Sequence, residues 1–127
     1  MAISVVDASA FSAMLFGEAE SGQVASLLGD DVLAAPNLVL YELGNVCWKK
    51  CRHHPARAPQ LRKALGLFAR LQVRLHQAPG SEVLDIAVGH GVTFYDASYL
   101  WLAIRLGARL VSLDVQLNRV ASKLLRM

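Results

Sequence analysis

The hydrophobic positions of this chain follow two patterns: short apolar runs, and longer stretches in which apolar residues recur every three or four positions. The first short run, Ile3–Val6, does not alternate with polar residues, which is typical of a strand buried on both faces of a parallel sheet. Strands are predicted at Ile3–Val6, Val32–Ala35, Val73–His76 and Leu110–Leu113. Because helical spacing fills the stretches between them, the sequence predicts a parallel sheet with helices on both faces, in the order β-α-α-β-α-α-β-α-α-β-α.

Capping and turn residues bound the predicted helices. Ser9 is placed to cap the first helix, and Pro36 suits the first turn of the third. Pro55 ends the third helix because the residue before a proline is pushed out of the helical conformation. One helix is opened by Asp96 and stops at the break 107–109. The other helices are predicted at Ala10–Phe16, Gln23–Leu28, Asn37–Arg52, Pro59–Leu71, Glu82–His90 and Val115–Leu125.

Length and composition indicate one globular domain over residues 1–127. With 54% hydrophobic residues and 18% charged residues, the chain can bury a core and is not of the disordered class. The first residues reach Asp7 without a basic segment, so we expect no secretory signal. The longest apolar stretches, Val32–Tyr41 and Ala97–Ile104, fall well short of the roughly 20 residues that span a bilayer. We therefore expect a cytoplasmic protein with no membrane partner.

The formal net charge is +3, but the distribution of charge is more informative. No Asp or Glu occurs between Glu42 and Glu82, and eight basic residues lie in that gap. They are Lys49, Lys50, Arg52, Arg57, Arg62, Lys63, Arg70 and Arg74. One interpretation is a solvated helical hairpin. The other is a surface that binds phosphates, and it gains weight if an acidic metal site lies beside it.

Cys47 and Cys51 lie four residues apart in a predicted helix. Side chains at that spacing are about 5–6 Å apart at Cβ, whereas a disulfide needs roughly 3.8 Å, so we expect free thiols, as in a reducing cytosol. His53 and His54 are close in sequence, but no second ligand pair has a recognised zinc spacing. The sequence therefore does not predict a zinc site.

Acidic residues stand at positions where apolar strands and helices begin or end. Asp7 and Asp114 each follow a predicted strand, and the carboxyl ends of parallel strands are where ligands bind. Asp96 opens a helix, so each of these aspartates alone could be an ordinary cap or turn residue. Glu42 has no Lys or Arg three or four residues away, so its partner must lie outside its own helix.

If these carboxylates meet, their repulsion must be relieved. Two like charges 5 Å apart cost on the order of 3 kcal/mol at an effective dielectric constant of 20, which a proton or a cation would remove. Ligands that are all oxygen suit Mg²⁺ or Mn²⁺ better than zinc. A water on such an ion can act as a nucleophile toward a phosphodiester.

Four segments of the chain resemble the PIN-domain nucleases, and most closely the VapC-type toxins of toxin–antitoxin systems. The segments are ISVVDASAF at the start, YELGNV around Glu42, FYDASYLWLA around Asp96 and LVSLD around Asp114. The resemblance covers essentially the whole chain. It implies a three-layer α/β/α fold with a central, mainly parallel sheet of four to five strands. It also implies an endoribonuclease that depends on Mg²⁺ or Mn²⁺, forms a homodimer, and binds a small cognate antitoxin protein.

The same resemblance assigns roles to individual residues. The four acids of the family fall on Asp7, Glu42, Asp96 and Asp114, as catalytic groups and metal ligands. Ser112 stands where the family usually has Thr and is expected to donate to a carboxylate or a metal-bound water. Ser9 matches a polar position two after the first acid, and Asn45 matches another, although an exposed helix amide explains Asn45 equally well. Some relatives carry a further acid a few residues beyond the last of the four, and here that region contains only Asn118.

Three residues are expected to contact RNA: Lys49, Lys50 and Arg52. Trp48 beside them could stack on a base, grip an antitoxin helix, or simply be partly buried. Two other functions stay open, a PIN domain of RNA processing and a PIN module that binds RNA or protein without catalysis. The intact set of acids favours the nuclease.

Overall fold

The computed structural model describes residues 2–125, and within them four strands form one parallel sheet. The strand order is β3-β2-β1-β4, and each neighbouring pair is parallel. The strands are β1 Ile3–Val6, β2 Val32–Pro36, β3 Arg74–His76 and β4 Arg109–Val111. The predicted parallel sheet is thus confirmed, with β1 and β2 at its centre.

Helices connect the strands in the predicted order. They are α1 Ala8–Leu15, α2 Ser21–Leu28, α3 Val39–His53, α4 Ala58–Gly66, α5 Gly80–His90, α6 Phe94–Leu106 and α7 Val115–Leu125. Short 3₁₀ turns at Pro55–Arg57 and Leu67–Leu71 flank α4. The helix predicted over Pro59–Leu71 is therefore correct as far as Gly66 and wrong for its last five residues. In residues 2–125, none of these helices has the length and apolar character needed to cross a membrane.

The placement of Pro36 differs from the prediction. It is the last residue of β2, in register with His76 of β3, and α3 begins only at Val39. The pairing of β2 with β1 ends at Ala34, so no ladder hydrogen bond is required from the missing N–H of Pro36. The next amide, that of Asn37, donates to the carbonyl of His76 at 2.9 Å. A proline can therefore end a central strand here.

The cap of the first helix is also different from the prediction. Asp7, not Ser9, is the N-cap of α1, with extended backbone angles (φ −89°, ψ 174°) and a carboxylate that accepts from the amide of Ala10. Asp7 follows the last residue of β1 directly, so one residue both ends the strand and starts the helix. This sharp strand-to-helix junction fixes the carboxylate at the edge of the sheet.

The core lies between the sheet and the helices packed on it. Val5 and Val6 of β1 are fully buried, as are Phe11 of α1 and Leu43 of α3. Helix α6 buries Ala97–Leu100 without a break, consistent with its apolar character around most of its circumference. Because α6 is packed into the core along this stretch, its amino-terminal turn is held firmly beside the carboxyl edge of the sheet.

Candidate functional site

Asp7 is the most buried acid at the carboxyl edge of the sheet, with 6% of its surface exposed. Its Oδ2 accepts from Ser112 Oγ at 2.6 Å, and its Oδ1 accepts from Ser9 Oγ at 2.7 Å and from the Ala10 amide at 3.1 Å. Burial nevertheless raises the pKa of Asp7, against the hydrogen bonds that lower it, and the charge of Asp114 raises it further. The hydrogen bonds therefore fix the orientation of the Asp7 carboxylate, but they do not offset the cost of burying its negative charge.

The two serines tie the end of β1 to the end of β4. Ser9 Oγ accepts from the Leu113 amide at 2.9 Å, and Ser112 Oγ accepts from the Asp114 amide at 2.9 Å. The hydrogen bond expected from Ser112 to a carboxylate is the one that it donates to Asp7. Asn118 donates from Nδ2 to the Ser112 carbonyl at 2.8 Å, so its amide supports this turn.

Glu42 lies in the first turn of α3 and is half-buried. Its Oε1 accepts from the hydroxyl of Tyr99 on α6 at 2.6 Å, which supplies the partner that its own helix lacks. Burial raises the pKa of Glu42, and the charges of Asp7 and Asp96 add to that effect, while the Tyr99 hydrogen bond opposes it. Burial also raises the pKa of Tyr99, so its hydroxyl stays a proton donor.

Asp96 and Asp114 each stand at the beginning of a helix. Asp96 is in the first turn of α6, where its amide donates to the Thr93 hydroxyl at 3.0 Å, so Thr93 is the cap and the Asp96 carboxylate is free of that task. Asp114 is exposed, and its Oδ1 accepts from the Leu117 amide at 2.9 Å, which caps the start of α7. Burial raises the pKa of Asp96, as do the charges of Asp114 and Asp7.

Hydrogen bonds also link the segments that carry the four predicted acids, which we call the acidic edge: Asp7, Glu42, Asp96 and Asp114. The Ser112 hydroxyl donates to Asp7 and accepts from the Asp114 amide, and Tyr99, one turn after Asp96 on α6, donates to Glu42. Each of the three with a raised pKa is affected by the charge of at least one of the others. Among residues 2–125, the ion pairs join Lys50 to Glu18 and Arg109 to Asp31, and none involves the acidic edge. No basic side chain among the described residues therefore compensates its negative charge.

The acidic edge is not a closed ligand cage. Within the described residues, no three His, Cys, Asp or Glu side chains converge closely enough to hold one metal ion between them. The four carboxylates as a direct ligand set therefore stay a prediction. An oxygen-only, uncompensated edge fits a hard divalent cation that keeps several of its waters, as Mg²⁺ does. Such an ion needs one or two direct carboxylates, with water between it and the rest.

The predicted RNA-contacting residues lie on the second half of α3. Lys49 and Lys50 help to line a cavity of about 510 Å³, called here the basic cavity. Its other lining residues are Phe16, Gly17, Glu18, Val46, His53, His54, Arg57 and Leu61. Lys50 Nζ is 3.9 Å from Glu18, and the guanidinium of Arg52 lies 5.0 Å from the ring centre of the half-exposed Trp48. The basic surface thus continues along the helix that carries Glu42.

Asn45, one turn after Glu42, is exposed and helps to line a second cavity of about 500 Å³.

The thiols of Cys47 and Cys51 are free, as predicted, and Cys47 Sγ donates to the Leu61 carbonyl at 3.5 Å. Sequence reasoning missed Tyr99 as the partner of Glu42. Its position one helical turn after Asp96, in a segment expected to be core, was the available signal.

Comparisons with known proteins agree with the resemblance. The family model described as PIN domain matches residues 4–123. Ribonuclease VapC3 of Pyrobaculum aerophilum is 34% identical over 118 residues, which cover 89% of this chain and 90% of the relative. Exonuclease VapC9 of the same organism is 40% identical over 89 residues, 67% of this chain and 64% of that protein. The crystal structure of Mycobacterium tuberculosis VapC20, a sarcin-ricin loop cleaving toxin, shares the fold, with a TM-score of 0.67 at 20% identity. The match covers 92% of this chain and 94% of that one.

Proposed function

Because this chain belongs to the PIN-domain family, we propose that it is an endoribonuclease that depends on Mg²⁺ or Mn²⁺ and acts as the toxin of a toxin–antitoxin pair. The observation that carries the proposal is the acidic edge, where burial and mutual repulsion raise the pKa of Asp7, Glu42 and Asp96 and no basic side chain of residues 2–125 forms an ion pair with them. A relative that matches along most of the chain is named a ribonuclease, and PIN nucleases as a family depend on divalent metal.

In this proposal the carboxylates of the acidic edge hold the ion, directly or through water. When bound, the ion supplies an activated water and stabilises the charge that develops on the phosphate and the leaving oxygen. Ser9 and Ser112 orient the Asp7 carboxylate, and Tyr99 orients that of Glu42 while leaving Oε2 free of this bond. The remaining task for the chain is to place the phosphodiester, which we assign to the basic side chains of α3.

The RNA backbone is expected to follow α3 toward Lys49, Lys50 and Arg52. Lysine and arginine neutralise phosphates without reading sequence, and such binding weakens as salt is raised. A small antitoxin partner, a homodimer and a cytoplasmic location belong to the same proposal and rest on the resemblance to VapC-type toxins.

The substitution Asp96→Asn tests the proposal because it removes one charge from the acidic edge and leaves the Thr93 cap of α6 in place. We expect cleavage of single-stranded RNA to fall by roughly 100-fold or more with Mg²⁺ or Mn²⁺, since metal-assisted charge stabilisation supplies several kcal/mol. The thermal unfolding midpoint of the variant is the control for folding. Full activity in a folded variant would overturn the mechanism, and no cleavage by the unsubstituted protein with either metal would favour a non-catalytic module.

A second candidate, cleavage from the ends of RNA, is favoured by the name of one relative, an exonuclease 40% identical over part of the chain. A circular single-stranded RNA distinguishes the two modes because it has no ends. We expect the circle to be opened at a rate similar to that of a linear RNA of the same sequence. If the circular RNA stays intact while the linear RNA is shortened stepwise, the protein is an exonuclease and not an endonuclease. Use in RNA processing, outside a toxin–antitoxin pair, would be favoured by the absence of a neighbouring antitoxin gene.

A further inference from the structure

Two tyrosines next to the acidic edge are largely exposed, so packing in the core does not explain why aromatic side chains stand there. Tyr41 is 79% exposed and precedes Glu42, and Tyr95 is 62% exposed and precedes Asp96. Buried tyrosines such as Tyr99 stabilise the core, but these two rings contribute little burial. Large exposed aromatic side chains beside a reactive centre are more typical of binding than of folding.

Both rings line one cavity of about 500 Å³, called here the tyrosine cavity. Its lining is Leu38, Tyr41, Glu42, Asn45 and Tyr95, which includes no Lys, Arg or His among the described residues. The basic cavity has nearly the same volume but includes two lysines, one arginine and two histidines in its lining. Glu42 would repel a phosphate from the tyrosine cavity, whereas the basic cavity attracts one. The two cavities therefore suit different parts of a nucleic acid.

We infer that the tyrosine cavity binds one unpaired nucleobase of the RNA, next to the phosphodiester that is cleaved; this inference rests on the proposed function. Single-stranded RNA is recognised by stacking splayed bases on aromatic rings and by hydrogen bonds to their edges. Tyr41 and Tyr95 offer the rings, and Leu38 adds an apolar surface. Asn45 has an amide that can donate two hydrogen bonds and accept others, as a base edge requires. A neutral base also avoids repulsion from Glu42.

The order of these groups along α3 fits one short strand of RNA. Tyr41, Glu42 and Asn45 lie in the first half of the helix, and Lys49 follows Asn45 by four residues, about 6 Å along the axis. A base held in the tyrosine cavity would thus leave the adjoining backbone beside the acidic edge. The next phosphates would reach the basic cavity. Preference for particular bases would come from the tyrosine cavity, and affinity for the phosphate backbone from the basic cavity.

The test measures binding of a ten-nucleotide single-stranded RNA by fluorescence anisotropy, in the Asp96→Asn background so that the RNA stays intact. Loss of one stacked base is worth roughly 5- to 100-fold in affinity. We expect Tyr41→Ala and Tyr95→Ala each to weaken binding by at least about fivefold. The matched variants Tyr41→Phe and Tyr95→Phe keep the ring and should bind within about threefold of the parent. Val88→Ala, a change at a residue 77% exposed on α5, controls for surface effects.

A second ligand identifies what the cavity recognises. An abasic ribose-phosphate chain of the same length keeps the phosphates and lacks the bases. The parent should bind it at least about fivefold more weakly than RNA, and a variant with both Tyr41→Ala and Tyr95→Ala should bind the two ligands alike, since both stacking rings are gone. Equal binding of the two ligands by the parent, or alanine variants that bind RNA as well as the parent, would overturn the inference.

The outcomes separate this inference from the function on which it rests. If RNA is cleaved and Asp96→Asn abolishes cleavage, yet the tyrosines do not affect binding, the function stands and the base site is wrong. If the tyrosines control binding but neither metal supports cleavage, the base site stands and the nuclease is wrong. An unsubstituted protein that binds no RNA overturns both. Alanine variants that lose a dimer in sedimentation while RNA binding is unchanged make this face an interface between copies, which also overturns the base site.

Discussion

The two ends of the central sheet treat their acids in opposite ways. At the amino-terminal end, Asp31 precedes β2 and accepts from Ser4 Oγ at 2.6 Å and from Arg109 Nη2 at 3.1 Å. Arg109, the first residue of β4, also donates to Ser4 Oγ and to the Leu27 carbonyl. The Ser4 hydrogen bond and Arg109 hold the pKa of Asp31 below its ordinary value. At the carboxyl end, three acids have raised pKa values and form no ion pair with a basic side chain in the part of the chain that the structure describes.

This difference indicates what each end is for. One arginine is enough to neutralise an acid at a strand terminus, as Arg109 does for Asp31, so the fold has the means to satisfy such charges. At the acidic edge the chain instead supplies neutral hydroxyl donors, Ser9, Ser112 and Tyr99, which orient carboxylates without cancelling their charge. The amino-terminal end therefore serves stability, and the carboxyl end keeps negative charge available for a cation from solution.

The largest expected contrast comes from the same substitution made at each end. Asp7→Asn should reduce RNA cleavage by roughly 1,000-fold or more, because it removes the most buried charge of the acidic edge. Asp31→Asn should leave cleavage unchanged and lower the thermal unfolding midpoint, because Arg109 loses its ionic partner. Cleavage rates and melting curves of both variants check this. A loss of cleavage in Asp31→Asn without unfolding would remove the distinction between the two ends.

A smaller effect is expected from the hydroxyl groups that orient the acids. Tyr99→Phe keeps the buried ring and removes the 2.6 Å hydrogen bond to Glu42. Loss of a group that orients a metal ligand costs roughly 10- to 100-fold in metal affinity or activity, and we expect a fall of that size in cleavage. Ser4→Ala, the corresponding change at the other end, should lower the melting midpoint and leave cleavage unchanged.

Varied Mg²⁺ or Mn²⁺ concentration distinguishes orientation from general damage. If Tyr99 acts through Glu42, high metal concentration should restore part of the activity of Tyr99→Phe. Activity that stays equally low at every metal concentration, with a lowered melting midpoint, would make the hydroxyl a structural group only.

The smallest effect is the pH dependence of stability in metal-free protein. A raised pKa means that folded Asp96 binds its proton more tightly than unfolded Asp96, so its charged form destabilises the fold, and this penalty disappears as pH falls through the raised pKa. Asp96→Asn should therefore be more stable than the parent at neutral pH, and the difference in the free energy of unfolding should narrow as the pH falls.

The opposite sign is expected at the other end of the sheet. The lowered pKa of Asp31 adds stability that is present above the unfolded pKa and is lost as pH falls through the folded one. Asp31→Asn should be less stable than the parent at neutral pH, and the deficit should shrink in acid. Melting midpoints of the three proteins in a chelator, measured from neutral to acidic pH, check both signs. A gap for Asp96→Asn that widens in acid would contradict the raised pKa.

Local patterns predicted most of the fold but not the interactions that cross it. The apolar run Ile3–Val6 and the acid after it are readable in the sequence because a buried strand and its end are local features. The local sequence at Pro36 predicts a helix start instead of a strand end, because its pairing partner His76 comes 40 residues later in the chain. Partners that come from distant segments leave no periodic signal.

The candidate site shows the same limit. The positions of the four acids and of Ser112 followed from motifs, whereas the donor to Glu42 comes from Tyr99, 57 residues away. The pairing of Asp31 with Arg109 spans 78 residues, and both lie in segments that the sequence indicates only as turns. How closely carboxylates converge depends on side-chain directions that sequence spacing does not determine, so the sequence could place the four acids at one edge but not give the distances between them.

The most direct test of the central claim is a calorimetric titration of Mn²⁺ into the metal-free protein, with Asp31→Asn and Asp96→Asn as the matched pair. We predict saturable binding by the unsubstituted chain, the same binding by Asp31→Asn, and a large loss by Asp96→Asn. An unsubstituted chain that binds no Mn²⁺, or an Asp96→Asn variant that binds it equally well, would contradict the claim that the carboxyl end of the sheet keeps its charge for a metal ion.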